Sequence, residues 1–301
     1  MARLIVHPGA PKTGTSTLQR FLHQNREALA RQGVAALTPT MIRNSAFMRA
    51  CRKAARGERP LNRRVVGDFA AEYADYDTVL ISEEGFCSGF LPGALERPAG
   101  LERAVLAAEV IAALPFDDIR VILTIRRQRG LLVSSYVHRV KLHRERRGFG
   151  RWLREVVAPD RLSWAGVAAE FEAVLGPGRL TLLPFEIVKA EGSGAYARAF
   201  FDAAGLCGDG VDFSLVNAAN LSASHPALLA SLAFNRITFG NVEKTTVNEQ
   251  LSHYFPSSRF RSFLPKDAAL DVIAAIYAAE NEALARRYFP DYEAAFLGAV
   301  A

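Results

Sequence analysis

The chain has 301 residues, of which 50% are hydrophobic and 23% are charged, a composition typical of a globular protein with a large core. No stretch approaches the roughly 20 consecutive apolar residues that a membrane-spanning helix needs, and the apolar run near Met1 is too short for the core of a signal peptide. We therefore predict a cytoplasmic protein with no membrane span, whose net charge of +6 favours anionic partners without identifying one.

The cysteines and histidines form no recognisable metal or redox motif. Cys51, Cys87 and Cys207 are far apart and make no CxxC pair, which predicts three buried, reduced thiols. His138 and His143 are five residues apart, whereas a helical zinc site places its two histidines four apart. The sequence therefore predicts no metal site.

Short apolar segments alternate with helical patterns along the chain. The apolar segments predict strands at Arg3–His7, Val34–Leu37, Thr78–Ser82, Arg120–Ile125 and Arg179–Leu183. The helical patterns are, in chain order, Thr15 to a stop at Gly33, Ile42–Asn62, a helix with Phe69 and Tyr73, Leu101–Leu114, Gly130–Arg144, one helix at each of Trp152 and Trp164, Gly194–Ala204, Pro226–Phe239 and Asp267–Tyr288. This alternation predicts an α/β fold with three layers, α/β/α, and a central parallel sheet of about four or five strands. We expect a single domain, residues 1–301, with the C-terminal helices from about residue 210 packed on it.

The segment between the first strand and the first helix is the most specific signal, and from His7 to Thr17 it reads HPGAPKTGTST. The backbone N–H groups and the dipole of a helix start favour an anion there. Glycine lets a phosphate approach the backbone, lysine supplies a full charge and hydroxyls supply further hydrogen bonds. The predicted binding residues are Lys12, Thr13, Gly14, Thr15, Ser16 and Thr17. The alternative is an ordinary strand-to-helix connection with capping hydroxyls.

The order of residues in this loop distinguishes two classes of phosphate-binding protein. Gly9 and Gly14 have the spacing of the Walker A motif, but Thr15 stands where that motif has its lysine. The order Pro-Lys-Thr-Gly-Thr-Ser instead resembles the 5′-phosphosulfate loop of sulfotransferases that use 3′-phosphoadenosine 5′-phosphosulfate (PAPS), a family with a P-loop-like fold. The resemblance implies that Lys12 contacts the 5′-phosphate and stabilises the leaving oxygen.

A second motif of that family, which binds the 3′-phosphate, has an arginine at the end of a strand and a serine eight residues later. Here the strand ending at Ile125 runs into Arg126, and Ser134 follows at the required spacing. Forked hydrogen bonds make arginine well suited to phosphate. Arg127 and Ser135 have the same spacing and are the alternative register. We prefer Arg126 with Ser134, because the first residue past a strand points most directly at a site on that edge of the sheet.

Transfer of a sulfuryl group to a hydroxyl also needs a base near the acceptor oxygen. Glu83 and Glu84 follow the strand Thr78–Ser82, and bacterial members of the family commonly have a glutamate in this position. The resemblance implies Glu84 as the catalytic base, with Glu83 as the second choice; both could alternatively cap the next segment or pair with arginines. His7 continues an apolar strand, which favours a buried structural histidine.

The resemblance as a whole implies in-line transfer of a sulfuryl group from PAPS to a hydroxyl, with adenosine 3′,5′-bisphosphate as the product and no metal required. A carbohydrate is the favoured acceptor, and a phenol, lipid or alcohol also fits. The resemblance extends loosely to the segment Leu182–Glu186 and to the last helix, Asn281–Tyr288. Arg259 and Arg261 are weaker candidates for further contacts with the 3′-phosphate. The sequence predicts neither a monomer nor an oligomer.

Two other functions fit parts of the sequence. A P-loop kinase using ATP and magnesium would suit the glycine spacing, but the lysine is misplaced and no Walker B aspartate ends a strand. A nucleic-acid-binding protein would use the arginine-rich segment from Arg120 to Arg154. Glu145 is the one acidic residue in that segment. That segment holds no recognised nucleic-acid motif, so we predict no nucleic-acid partner.

Overall fold

The structure is a computed structural model that describes residues 2–10, 12–86, 101–157, 161–216, 223–237 and 244–298. These residues divide into two compact units, which we call unit 1 (Met1–Arg127, Arg161–Ala219 and Ala279–Ala301) and unit 2 (Gln128–Asp160 and Asn220–Ala278). The prediction of one domain that spans the chain stays a prediction.

Within the described part of unit 1, five parallel strands form a sheet: β1 (Arg3–His7), β2 (Val34–Leu37), β3 (Thr78–Ser82), β4 (Asp118–Ile125) and β5 (Leu180–Pro184). Their order in the sheet is β2-β3-β1-β4-β5. All five predicted strands are confirmed, with bounds that shift by two residues at most. Because the strands are parallel, their carboxyl ends meet at one edge of the sheet, which is where loops can gather binding residues.

The sheet forms because its strands are short runs of apolar residues that are buried on both faces. Leu4, Ile5 and Val6 of β1 have no exposed surface, and β3 is buried along its whole length. Residues such as Ile5, Leu80 and Ile122 pack with helices on one face of the sheet. Continuous apolar strands of this kind are typical of a parallel sheet covered by helices on both sides, and the predicted three-layer fold is confirmed.

The helices of unit 1 are α1 (Thr15–Gln24), α2 (Arg26–Arg31), α3 (Pro39–Ile42), α4 (Ala46–Ala55), α5 (Arg63–Glu72), α6 (Leu101–Ala112), α9 (Trp164–Leu175), α10 (Ile187–Ala190), α11 (Ser193–Ala204), α15 (Ala278–Tyr288, which begins at the last residue of unit 2) and α16 (Glu293–Leu297). Two predicted helices of this unit differ from the observed ones. The helix predicted from Thr15 to Gly33 breaks at Asn25, whose amide side chain bonds the backbone of Phe21 and of Asp212. The helix predicted over Ile42–Asn62 is shorter, because Ser45 caps the start of α4 by accepting a hydrogen bond from the Met48 N–H.

The described residues of unit 2 form the helices α7 (Gln128–Leu142), α8 (Phe149–Val156), α12 (His225–Ile237), α13 (Lys244–Tyr254) and α14 (Ala268–Ile276). The helix predicted over Asp267–Tyr288 is two helices, because the chain leaves the helical conformation at Tyr277, the C-terminal cap of α14. Inside unit 2, Asn235 donates hydrogen bonds to the carbonyls of Val140 and Glu145, and the ring of Tyr136 packs against Trp152.

The cysteine prediction is partly wrong. Cys51 is buried in α4, where burial raises the pKa of its thiol to about 12. Cys207, however, is exposed, because it follows the end of α11 in a surface loop. Cys87 lies outside the described residues.

Within the described ranges, no helix combines the length and the apolar character needed to cross a membrane.

Candidate functional site

The loop between β1 and α1 forms an open helix start. Gly14 precedes α1 with φ of 83°, and its carbonyl accepts hydrogen bonds from the backbone of Thr17 and Leu18. The N–H groups of Thr15 and Ser16 precede these bonds and have no acceptor within the helix, and the first turn of α1 contains no acidic residue. This end of α1 is therefore suited to an anion, as the sequence predicts.

Two glycines allow the loop to pack closely against neighbouring residues. A Cβ on Gly14 would lie 2.7 Å from the ring of Phe185, which follows β5. A Cβ on Gly9, with φ of 55°, would lie 2.8 Å from Thr15 and 3.1 Å from Glu84. Real Cβ atoms do not approach other atoms so closely, so both positions require glycine on grounds of space as well as backbone conformation.

The four predicted hydroxyl groups have different environments. Thr13 and Thr15 are buried, and their hydroxyls donate to the Ala10 carbonyl and to the Glu84 carboxylate respectively. Ser16 is exposed and Thr17 is half-buried in the first turn of α1. The hydroxyls of Thr13 and Thr15 therefore stabilise the loop, while Ser16 presents its hydroxyl at the surface of the helix start.

Lys12 has a left-handed backbone conformation, with φ of 69°, and its carbonyl accepts a 2.9 Å hydrogen bond from the guanidinium of Arg126. A left-handed conformation costs a residue with a side chain about 1–2 kcal/mol. A hydrogen bond from a charged donor contributes about 1.5–3 kcal/mol, which is enough to offset that cost. The contact also places residues 12 and 126 of the chain, both predicted to bind phosphate, next to each other in unit 1.

Arg126, at the end of β4, is fixed by contacts of both its side chain and its backbone. Its guanidinium carbon lies 4.6 Å from the centre of the Phe185 ring, and its backbone carbonyl accepts a 2.7 Å hydrogen bond from Trp164 Nε1. Burial lowers the pKa of Arg126, while the nearby Glu186 carboxylate acts in the opposite direction. The Nε of Arg126 is buried without a hydrogen-bond partner. A buried donor of this kind is suited to an acceptor on a ligand.

Arg127 is occupied within the protein. Its backbone N–H donates a 3.0 Å hydrogen bond to Glu186, and its guanidinium donates to the Phe296 carbonyl at 3.3 Å. Burial raises the pKa of Glu186, although the hydrogen bond from Arg127 acts against that shift. These contacts favour Arg126 over Arg127 as the residue that faces a ligand.

The two candidate serines lie on α7, in unit 2. Ser135 is buried, and its hydroxyl donates a 2.7 Å hydrogen bond to the Leu131 carbonyl of the same helix. Ser134 is half-buried. The Ser135 hydroxyl is thus used inside the helix, which favours Ser134, and the predicted pairing of Ser134 with Arg126 stays a prediction.

Glu83 and Glu84 have contrasting surroundings past the end of β3. Glu83 is 1% exposed, its carboxylate oxygens lie 3.3 Å from Arg43 Nε, and it accepts a 3.0 Å hydrogen bond from the Gly85 N–H. Glu84 is half-buried at the start of a short 3-10 helix (Glu84–Phe86) and accepts a hydrogen bond from Thr15. Glu84 therefore lies against the loop with part of its surface open, as a base requires, whereas Glu83 is buried in an ion pair.

His7 is fully buried at the end of β1. Its two ring nitrogens lie 2.8 Å from the Ser82 hydroxyl and 3.2 Å from the Thr124 hydroxyl, which in turn lies 2.7 Å from the Tyr196 hydroxyl. Burial lowers the pKa of His7 to about 3, so the ring is neutral at physiological pH. These contacts support a structural histidine that links β1 to β3 and β4.

Three residues that support Arg126 were not predicted as site residues: Phe185, Glu186 and Trp164. The sequence did contain a signal for the first two, since Phe-Glu after a buried strand is part of the family resemblance. No sequence pattern indicates that the Trp164 indole bonds the Arg126 carbonyl, because this contact joins segments 38 residues apart.

Other candidate ligands for an anion or a metal give little support. Arg259 and Arg261 belong to unit 2, where the Arg259 guanidinium lies 5.8 Å from the Phe260 ring and the Arg261 carbonyl accepts a hydrogen bond from His225. Among the described residues, no group of three or more His, Cys, Asp or Glu side chains could hold a metal ion.

No family model and no curated protein matches the chain. A solved structure that it resembles is a sulfotransferase from Alicyclobacillus acidocaldarius, with 18% sequence identity and a TM-score of 0.43. The similarity covers 84% of this chain and 96% of the other. At this distance the likeness carries no argument about function, which depends on the geometry of the site.

Proposed function

We propose that the protein is a sulfotransferase that moves a sulfuryl group from PAPS to an acceptor hydroxyl. The observation that carries the proposal is the 2.9 Å hydrogen bond between Arg126 and the Lys12 carbonyl. It brings together the two basic residues whose motifs resemble the 3′- and 5′-phosphate sites of one nucleotide. A nucleotide with phosphates at both its 3′ and its 5′ position matches these two cations better than a nucleotide with a single phosphate group.

In this proposal the donor binds at the start of α1. The N–H groups of Thr15 and Ser16, with the hydroxyls of Ser16 and Thr17, hold the 5′-phosphate, and the Lys12 ammonium lies near its oxygens. Arg126 binds the 3′-phosphate, and Ser134 is the predicted neutral donor to it. Two fixed contacts on one nucleotide orient the sulfuryl group for attack from the opposite side.

The proposed reaction is an in-line displacement. The acceptor oxygen forms a bond to sulfur while the bond between sulfur and the 5′-phosphate oxygen breaks, and the acceptor proton passes to Glu84. Lys12 stabilises the negative charge on the departing oxygen, and adenosine 3′,5′-bisphosphate leaves. A base in this role typically accelerates a reaction by about 10²–10⁴-fold. The chemistry requires no metal.

Calorimetric titration with adenosine 3′,5′-bisphosphate in the absence of magnesium tests the donor site. We expect micromolar binding by the wild type and an affinity at least about tenfold lower for Lys12→Ala, because the charge contact with the 5′-phosphate is lost. Lys53→Ala is the matched control, since it removes an exposed lysine of α4 in the same unit.

The opposite result would favour the kinase. If the wild type binds ATP with magnesium but not the bisphosphate, and chelation abolishes that binding, the proposed function is wrong. The acceptor class rests on resemblance to bacterial members, and we propose a carbohydrate hydroxyl; screening of acceptors follows once donor binding is established.

A further inference from the structure

The Arg126 guanidinium contacts the loop between β1 and α1, which we call the donor loop. Its Nε remains for a hydrogen bond to a ligand. Its NH1 group donates to the carbonyl of Lys12, the residue at which the backbone adopts a left-handed conformation. That conformation determines where the following residues, Thr13 and Gly14, enter the first turn of α1. A hydrogen-bond donor at the end of β4 can therefore fix the backbone conformation of the loop that follows β1.

The Phe185 ring lies against both Arg126 and the loop between β1 and α1. One part of the ring lies against Gly14, where a Cβ would approach it to 2.7 Å, and the Arg126 guanidinium stacks on it at 4.6 Å from the centre. The ring thus limits the movement of Gly14 and of Arg126. The hydrogen bond to the Lys12 carbonyl and the contact with the Phe185 ring therefore restrict the half-buried Arg126 side chain.

We propose that Arg126 is a positioning residue for the 5′-phosphosulfate loop, so that its loss weakens binding of the 5′ group even when the ligand has no 3′-phosphate. This inference rests on the proposed function. It differs from the role that the motif implies for Arg126, which is limited to a contact with the 3′-phosphate. The two roles predict different results with a nucleotide that lacks that phosphate.

The test compares two nucleotides, adenosine 5′-phosphosulfate, which has no 3′-phosphate, and adenosine 3′,5′-bisphosphate, by calorimetric titration. Arg126→Gln is expected to weaken binding of both by about tenfold or more, and Arg126→Lys to have an intermediate effect because it keeps the charge without the planar fork. Arg120→Gln is the matched control, because it removes an exposed arginine near the other end of the same strand.

Phe185→Leu gives a second measurement, since it leaves Arg126 in place and removes the flat surface that supports it. We expect this variant also to bind adenosine 5′-phosphosulfate several-fold more weakly, with thermal melting used to confirm that each variant is folded. If Arg126→Gln weakens the bisphosphate but leaves the phosphosulfate within about twofold of the wild type, the positioning role is wrong and the proposed function stands. If the wild type binds neither nucleotide, the proposed function is wrong and this inference fails with it.

Discussion

Two adjacent glutamates show how strongly the chemistry of a residue depends on its surroundings. Glu83 and Glu84 are indistinguishable by type, and both follow the same strand. The structure buries Glu83 against Arg43 and leaves Glu84 half-buried beside Thr15. A buried carboxylate in an ion pair is costly to disturb, whereas the half-buried Glu84 keeps part of its surface open beside the start of α1.

We therefore expect different consequences from replacing each glutamate. Glu83→Gln should lower the free energy of unfolding by about 1–3 kcal/mol, because Arg43 loses its charged partner beside a buried amide. Glu84→Gln should keep the bisphosphate affinity and, with an identified acceptor, reduce kcat by about 10²–10⁴-fold. Denaturant titration and steady-state kinetics measure the two effects.

The control for Glu83 is Glu27→Gln, which breaks an ion pair with Arg26 whose side chains are 79% and 50% exposed. Such a pair contributes roughly 0–1 kcal/mol. A Glu83 variant as stable as this control, with greatly reduced transfer activity, would assign the role of base to Glu83 instead.

His7 makes the stability of the protein depend on pH. Burial lowers its pKa to about 3, below the 6.5 of an exposed histidine, so between these values the unfolded chain binds a proton that the folded chain does not. The contribution of neutral His7 is therefore fully present above pH 6.5 and is lost as the pH falls towards 3. The slope is at most about 1.4 kcal/mol per pH unit.

Between pH 7 and pH 5 the wild type should thus lose about 2 kcal/mol more of its free energy of unfolding than His7→Asn, as measured by denaturant titration at each pH. His253→Asn, which removes an exposed histidine, should retain the wild-type dependence. An identical pH dependence in His7→Asn and the wild type would show that His7 is not buried in its neutral form.

At the scale of elements, the connection from β1 to α1 depends on Gly14 for two separable reasons, its backbone conformation and the space occupied by Phe185. Gly178 shares the conformation, with φ of 72° against 83° for Gly14, but no atom lies within 4 Å of the position of its Cβ. The two glycines therefore form a matched pair in which close packing is the main difference.

Gly178→Ala should cost about 1 kcal/mol of stability, from backbone strain alone. Gly14→Ala should cost more, by about 1–3 kcal/mol, and should weaken binding of adenosine 3′,5′-bisphosphate at least tenfold, because Phe185 must move away from the loop. Thermal unfolding and calorimetry measure these effects. If the two variants lose equal stability and bind the bisphosphate as the wild type does, the Phe185 ring moves aside without a measurable loss of free energy.

At the scale of the whole molecule, the net charge is distributed unequally. The sequence of unit 2 holds thirteen Lys and Arg residues against seven Asp and Glu, whereas unit 1 has twenty-four of each. Several arginines of unit 2 are nevertheless paired inside it, as Arg147 is with Glu145 and Arg129 with Asp271. Burial alone would raise the pKa of Glu145, but the hydrogen bonds from Arg147 outweigh it and bring that pKa to about 2.

Internal pairing reduces the charge available to a nucleic acid, so we expect no binding to DNA or RNA oligonucleotides tighter than about 10⁻⁶ M at physiological salt. Fluorescence anisotropy over a series of salt concentrations measures this, with bisphosphate binding in the same buffer as the positive control. Tight, strongly salt-dependent binding that Lys12→Ala does not change would instead support the nucleic-acid-binding alternative.

The sequence by itself determined the five strands and the glycine-rich connection from β1 to α1, and it predicted an anionic ligand for that connection. Each of these depends on residues that are close together in the chain, such as the apolar run of β1 or the lysine, glycine and hydroxyls between Lys12 and Thr17. Local patterns of this kind restrict backbone conformation and hydrogen bonding directly. They did not reveal the helix break at Asn25, where the side chain bonds the backbone of Asp212, 187 residues away.

The sequence ranked Glu84 above Glu83 and Arg126 above Arg127, but only the tertiary structure gives each of these residues its own surroundings. In each pair the two residues have the same chemistry and adjacent positions, so the sequence cannot predict which partners each of them contacts. The difference lies in partners from distant segments: Arg43 for Glu83, Thr15 for Glu84, and the Lys12 carbonyl for Arg126. Burial and hydrogen bonding decide whether a charged group is occupied within the protein or available to a ligand, and both arise only when the chain brings those segments together.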